Sequence, residues 1–307
     1  MPDPLTPPEP TTAVPTLSTR ADRTHKGDVG RVAILAGSRG MSGAAVLAAL
    51  GALRGGAGLV RVCTPASAQP LVAAGDPCLM TVALPEDEAG RVSGRATAAL
   101  RESLSWASVV AIGPGLGVSE DVRSVVAEVW KSYAGPLVAD ADALNALAQC
   151  DAALWQARAG RATTVTPHPG EMARLRRAVG LAQRDEQDDE ARLRCAWEFA
   201  CRAGVTAVLK GHHTVVAESG RTYRNASGNP GMATGGMGDV LTGLIAALLG
   251  QGFDAFDAAR LAVFAHGVAA DRLAKRIAPF GYLSREVAEE IPAALHDAAR
   301  PPIGFAR

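Results

Sequence analysis

From Arg31 onward, short apolar runs alternate with longer stretches of helical period, and that alternation admits few folds. The runs are Val32 to Ala36, Gly58 to Cys63, Ser108 to Ile112, Leu137 to Ala139, Thr163 to Thr166 and Val205 to Leu209. Between them lie candidate helices near 43–54, 119–133, 142–149, 170–178 and 188–203. A strand that reads as apolar throughout, not alternately, is buried on both faces, and parallel strands need crossover helices to connect them. The pattern therefore predicts an α/β fold with a mostly parallel central sheet and helices on both faces. After Leu209 the pattern changes. Thr214 to Ala217 and Arg221 to Arg224, separated by Glu218-Ser219-Gly220, read as a hairpin that gives the sheet an antiparallel edge. Three more helices are expected over Asp239 to Leu249, Ala255 to Ala274 and Ser284 to Leu295.

Residues 1–22 carry Pro2, Pro4, Pro7, Pro8, Pro10 and Pro15, which oppose regular ladders, so they read as a flexible or surface-hugging arm ahead of one domain over 23–307. The 31 basic and 31 acidic residues balance, leaving no broad footprint for nucleic acid or an anionic membrane. A small-molecule partner is expected instead. The dense charge of Arg184 to Arg194 suits a solvated helix face. No signal peptide and no run of roughly 20 apolar residues is present, which points to the cytoplasm. The five cysteines, Cys63, Cys78, Cys150, Cys195 and Cys201, have no C-x-x-C spacing and read as buried thiols. The Asn225-Ala226-Ser227 sequon then has no role.

Chemistry concentrates in Asn229-Pro230-Gly231-Met232-Ala233-Thr234-Gly235-Gly236-Met237-Gly238-Asp239-Val240-Leu241-Thr242-Gly243, a glycine-dense loop entering an apolar helix. Glycines let successive amides converge, and the helix adds its positive end, so Gly235, Gly236, Met237 and Gly238 form a candidate anion hole. Asp239 reads either as a helix cap or as an acid placed against a ligand held there. Four glycines within eight residues, 231, 235, 236 and 238, are costly in chain entropy and favour close approach to a ligand. It is not a Walker A loop, because no Gly-Lys-Ser or Gly-Lys-Thr follows the required spacing.

Other strand ends carry their own signals. Gly37-Ser38-Arg39-Gly40-Met41-Ser42-Gly43-Ala44-Ala45 and Gly113-Pro114-Gly115-Leu116-Gly117 follow strands, at the usual ligand edge of an open α/β sheet. Asp140 and Asp142 follow the strand Leu137 to Ala139, one expected at the ligand edge and the other as a helix cap. In Thr166-Pro167-His168-Pro169-Gly170-Glu171 two prolines stiffen the backbone around His168, an aimed ring or a satisfied core histidine, and Glu171 reads as a helix-start residue or an indirect metal contact. Lys210-Gly211-His212-His213-Thr214 ends another strand. Two adjacent histidines on an extended chain point apart, so no His-His metal site is expected.

The Asp239 loop resembles the anion-hole and catalytic-base motif of ribokinase-like phosphotransferases. Together with His25-Lys26-Gly27-Asp28-Val29-Gly30-Arg31, the strand-end segments and Asp140-Ala141-Asp142-Ala143-Leu144-Asn145, it resembles the NAD(P)H-hydrate dehydratase family, from about residue 24 to the end. The resemblance implies a ribokinase-like three-layer sandwich and the ATP- or ADP-dependent dehydration of the S-epimer of NAD(P)H-hydrate (NADHX and NADPHX) to NAD(P)H. AMP or ADP and phosphate are released. It implies Asp239, Gly236 and Gly238 as catalytic, and Ala44, Gly115, Gly117, His168 and Asp239 as substrate-binding. It assigns Lys210, Gly211, His212, His213, Thr214 and Gly238 to the nucleotide. Mg²⁺ is implied as cofactor without direct ligands, with Asp140 and Glu171 near it at most indirectly, and Asn145 near the phosphates. A homotetramer is implied, and a separate epimerase, since about 24 residues ahead of His25 leave no room for a fused one. Departures are Cys78, where an acidic residue is common, and Ala270, where glycine is. Rival readings are a small-molecule kinase of the same fold and a nucleotide sensor that has lost catalysis, although the latter would be expected to lack Asp239.

Overall fold

A computed structural model of the chain describes residues 6–17, 20–184 and 188–298. The described residues form one sheet of nine strands: β1 Arg31–Leu35, β2 Leu59–Pro65, β3 Met80–Leu84, β4 Val109–Ile112, β5 Leu137–Ala139, β6 Thr163–Val165, β7 Thr206–Leu209, β8 Val215–Glu218 and β9 Arg221–Arg224. Their order is β3-β2-β1-β4-β5-β6-β7-β8-β9. The pairs from β3 through β7 are parallel, and β8 and β9 add the antiparallel edge.

Successive strand residues face opposite sides, and both sides are apolar. Val32 and Ile34 of β1 enter one core, Ala33 and Leu35 the other. The first core is closed by α1 Ser42–Arg54, α2 Gln69–Gly75, α9 Met237–Gly250, α10 Ala255–Arg276 and α11 Ser284–Ala298. The second is closed by α3 Ala96–Trp106, α4 Glu120–Ser132, α5 Ala141–Leu147, α6 Ala153–Gln156, α7 Pro169–Ala178 and α8 Asp189–Ala203. The result is the expected three-layer arrangement. At the outer end of the second layer, Arg158 is buried because its guanidinium donates to Thr163 Oγ1 at 3.0 Å and to the carbonyls of Tyr133, Gly135 and Ala162. Burial holds that guanidinium down to about 10, and its four acceptors lock β6 to the α4–β5 connection.

Four elements escaped the sequence reading: β3, α2, α3 and α6. The first is a half-buried edge strand interrupted by Thr81, and α2 and α6, at seven and four residues, are too short for a helical period to show, while the uncapped α3 buries only three of its eleven residues. The thiols also differ from expectation. Cys63 and Cys195 are buried, but Cys78 and Cys201 are exposed, lying on a loop and the outer side of α8. Asn225 is buried and donates its amide to Ser227 O at 2.8 Å, so the sequon is closed off. Where described, the arm follows the surface: Thr11 bridges Tyr223, Thr222 Oγ1 donates to Pro8 O at 2.7 Å, and Arg260 donates to Ala13 O at 2.6 Å. Residues 1–5 and 18–19 of that arm, and 185–187 of the charged stretch, lie outside the described residues. Among the described residues no helix is long and apolar enough to cross a membrane.

The contact that places the glycine loop is between α1 and α9, which meet backbone to backbone. A Cβ on Gly51 would fall 2.1 Å from Val240 O, and one on Gly243 would fall 1.8 Å from Ala48 O. Neither obstacle is a side chain that can swing away. Gly243→Ala is expected to destabilise the fold by about 3 kcal/mol, the upper range for overpacking, read as a lower denaturant midpoint at unchanged slope.

Candidate active site

Register sets the level of every loop at the ligand edge. Leu35 pairs with Ile112, Ile112 with Ala139 and Ala139 with Val165, so the four strands stop in one row. The loops at Gly37, Gly113, Asp140 and Thr166 therefore start side by side. The strand order reverses between β1 and β4, the usual ligand position in an open parallel sheet. β7 runs on to Leu209, and the Lys210 N–H donates to Pro167 O at 2.9 Å.

Two of these loops close on each other. Gly37 N–H donates to Pro114 O at 2.8 Å, and Ser38 Oγ donates to Gly115 O at 2.8 Å. A Cβ on Gly115 would lie 3.0 Å from the Ala44 Cβ, so Ala44 and Gly115 share one wall. Gly117 belongs to the same wall: its N–H donates to Asp142 Oδ2 at 2.8 Å. The cap expected from the Asp140/Asp142 pair is not formed. Asp140 occupies the N-cap position of α5 without a side-chain cap bond, and Asp142 is spent on Gly117. Tertiary donors have outcompeted the local helix amides.

Asp140 is 1 % exposed and accepts from Lys210 Nζ at 2.6 Å and from Thr242 Oγ1 at 2.8 Å, joining the ends of β5 and β7 to α9. Burial alone would push the Lys210 ammonium down, but Asp140 and then Glu171, 4.0 Å away, hold it above its ordinary value. Gly238 sits directly over this pair, where a Cβ would come within 3.3 Å of Lys210 Nζ.

Gly236 takes φ +88 as the N-cap of α9, a conformation that suits glycine, and the chain then turns so that Met237, Gly238 and Asp239 form the first helical turn. The N–H groups of 235–239 have no hydrogen-bond partner among the described residues. Convergent free amides at the start of a long helix are an anion cradle. The loop is held from behind by Ser284 Oγ, which donates to Gly235 O at 2.6 Å, and by Asp271, which accepts from the Gly228 N–H and from Asn229 Nδ2 at 2.8 Å each. Beside the cradle, burial and the neighbouring Asp140 charge push the Asp239 carboxyl up to about 7, against the pull of Lys210.

A cavity of about 500 Å³ opens next to the cradle, lined by all of Lys210 to Thr214 and by Asn225 to Pro230, Met237, Gly238 and His266. The structure thus gathers the whole 210–214 segment and Gly238 at one cavity. Sequence reasoning missed His266 here. It is 5 % exposed on α10, its Nε2 has no partner among the described residues, and burial pushes it down to about 4, so the ring is neutral. A single histidine in an apolar helix carries no signal that separates it from a core residue.

His168 and Glu171 form a reciprocal capping box on α7. His168 Nδ1 accepts from the Gly170 and Glu171 N–H groups at 3.0 and 3.3 Å, and Glu171 Oε2 accepts from the His168 N–H at 2.8 Å. The helix-start reading of Glu171 holds. Burial and then the charges of Lys210 and Arg174 keep the His168 ring below its ordinary value, as an accepting Nδ1 requires, while its side chain remains 51 % exposed. The expected divergence of His212 and His213 is overturned. His213 takes φ +49, which turns the chain, and the two rings lie 3.8 Å apart.

With this geometry, comparison with known proteins decides the family. The profile described as NAD(P)H-hydrate dehydratase matches residues 32–293. The chain belongs to the NAD(P)H-hydrate dehydratase family. It is 42 % identical over 274 residues to the bifunctional NAD(P)H-hydrate repair enzyme Nnr of Moorella thermoacetica, covering 89 % of this chain and 50 % of that protein. The chain thus spans about half the length of the bifunctional relatives it matches. Among solved structures, it is similar to the ADP/ATP-dependent NAD(P)H-hydrate dehydratase of Bacillus subtilis co-crystallised with ATP/Mg²⁺, with 29 % identity, a TM-score of 0.74 and coverage of 92 % and 95 % of the two chains. A ribokinase-like superfamily protein of Enterococcus faecalis matches with 27 % identity, a TM-score of 0.74 and coverage of 92 % and 93 %. The fold is ribokinase-like.

An acid whose folded pKa is raised stabilises the fold fully only below its unfolded value, and that contribution is lost as pH rises through the folded value. For Asp239 the window runs from about 4 to about 7. Asp239→Asn should therefore raise stability above pH 7 by up to ~4 kcal/mol, at ~1.4 kcal/mol per pKa unit, with the gain vanishing near pH 4. Paired thermal melts of the nucleotide-free proteins at the two pH values measure it.

Proposed function

We propose that this chain transfers the terminal phosphate of ADP or ATP to the C6 hydroxyl of the S-epimer of hydrated NADH or NADPH, and then eliminates phosphate to regenerate NAD(P)H. The observation that carries this reading is the Asp239 carboxylate standing beside unpartnered amides and the Lys210–Asp140 pair, at the edge of a nucleotide-sized cavity. The nucleotide lies against Lys210 to Thr214, with its terminal phosphate on the amides of Gly235 to Gly238. The reduced nicotinamide faces the wall of Ala44, Gly115 and Gly117, with the half-exposed His168 ring, held by Glu171 and the first amides of α7, beside it.

Hydroxide is a poor leaving group and phosphate a good one. Asp239 takes the C6 hydroxyl proton as the oxygen attacks the terminal phosphorus, whose bond to the bridging oxygen breaks to release AMP or ADP. The amides of Gly236 and Gly238 are set where charge gathers on the transferred group, without needing to reorient. The ring nitrogen's lone pair then expels phosphate, and loss of the C5 proton restores the dihydropyridine. A carboxyl that titrates near pH 7 is well matched to this task, being part ionised at neutral pH and more basic than an ordinary aspartate.

The chain's own oxygens fit Mg²⁺ as an ion carried on phosphate and water. Asp140 is engaged by Lys210 and Thr242, Asp142 by Gly117 and Glu171 by His168, which leaves no open carboxylate cage. Asp140 and Glu171 would act on it through water, and the ion would supply charge neutralisation on the phosphates.

Asp239→Asn should lower kcat by about 10²- to 10⁴-fold with nucleotide affinity retained, in an assay that follows recovery of nicotinamide absorbance when ADP or ATP is added to hydrated NADH. Wild-type turnover in that variant, or failure of the wild-type protein to repair the hydrate with either nucleotide, would remove the proposal. Phosphorylation of a small alcohol without hydrate repair would favour a kinase. In the wild type, kcat/KM should fall as pH drops below about 7, because the protonated Asp239 carboxyl accepts no proton.

A further inference from the structure

The turn that brings the two histidines together also brings them to an aspartate on another element. One ligand atom each from Asp189, His212 and His213 lie within 4.8 Å of one another. We propose that these three side chains form a binding site for a borderline transition-metal ion of the Zn²⁺ class, at the edge of the cavity that Lys210 to Thr214 line. This inference does not depend on the repair reaction.

Three features carry it. The first is donor chemistry: two imidazoles and a carboxylate suit Zn²⁺, Co²⁺ or Ni²⁺, whereas Mg²⁺ and Ca²⁺ require oxygen throughout. The second is spacing. Ligand atoms about 2.0–2.1 Å from a tetrahedral ion lie roughly 3.3 Å apart, and His213 Nδ1 already lies 2.8 Å from Asp189 Oδ2. Small side-chain rotations close the set. The third is a prepared scaffold. The turn is held by the Gly211 N–H on Thr214 Oγ1 at 3.3 Å and by Thr214 Oγ1 on Gly211 O at 2.9 Å, and Asp189 is fixed in the first turn of α8, capped by Asp188. Arg192 of α8 donates to the carbonyls of Leu209 and Lys210 at 3.3 and 3.1 Å, so the two elements that supply the ligands are tied together.

The local charge moderates affinity without abolishing it. Arg224 Nη1 lies 3.8 Å from Asp189 Oδ2, but its other nitrogen is engaged by Glu190. Three protein ligands leave one tetrahedral position open, as in exchangeable zinc sites rather than closed structural ones. Because His212 and His213 both line the cavity, an ion held there would sit at its edge.

The test is Zn²⁺ titration by calorimetry into chelator-stripped, nucleotide-free protein, compared with His212→Ala, His213→Ala and Asp189→Asn. One ion per chain should bind to the wild type, and each variant should bind more than about tenfold more weakly, since loss of even an outer-shell partner costs about 10- to 100-fold. Co²⁺ in place of Zn²⁺ should give a visible tetrahedral ligand-field spectrum that the variants lack, a readout that general loss of stability does not mimic. The proposal is overturned by no binding, by binding that persists in all three variants, as it would at the exposed Cys78 or Cys201, or by displacement with a large excess of Mg²⁺.

Discussion

The buried Asp140 carboxylate is the tie on which the ligand edge depends. It receives the Lys210 ammonium from the end of β7 and the Thr242 hydroxyl from the second turn of α9, so one side chain fixes three elements. Taking a carboxylate and an ammonium out of water is costly, and the cost is met only when their remaining bonding capacity is used. Thr242 fills that need. The same charge then acts outward, since Asp140 is the leading electrostatic reason that Asp239 is less acidic than an exposed aspartate.

Around that tie, uncompensated burial is concentrated at the candidate site. A carboxyl desolvated beside a second carboxylate and a buried His266 Nε2 without a partner among the described residues both cost stability. The rest of the molecule compensates with two apolar layers and with specific clamps such as Arg158. The α1–α9 contact through Gly51 and Gly243 carries the rigidity of the first layer directly to the cradle.

Much of the architecture was legible in one dimension because parallel strands are apolar throughout and helices repeat every three to four residues. The hairpin was found from Glu218-Ser219-Gly220, and most helix starts fell within a few residues of their observed positions. What escaped were β3, half-buried at an edge, the short helices α2 and α6, and α3 with few buried residues, for which neither burial nor period writes a pattern. At the candidate site, the glycine loop and the 210–214 segment were visible because backbone approach to a ligand leaves glycines behind. The partners of Asp140 and Asp142 were not, because Thr242 and Gly117 lie far from them in sequence. His212 and His213 were misjudged for a related reason: an extended chain would separate them, and one residue at φ +49 does not.

By itself, the sequence determined the class of fold and where a phosphate could be held, since periodicity and glycine density are local properties that burial and backbone sterics translate directly. Which side chains meet was decided by the tertiary structure alone. The shared register of Leu35, Ile112, Ala139 and Val165 brings distant loops to one level, and only there do hydrogen bonding and desolvation select their partners.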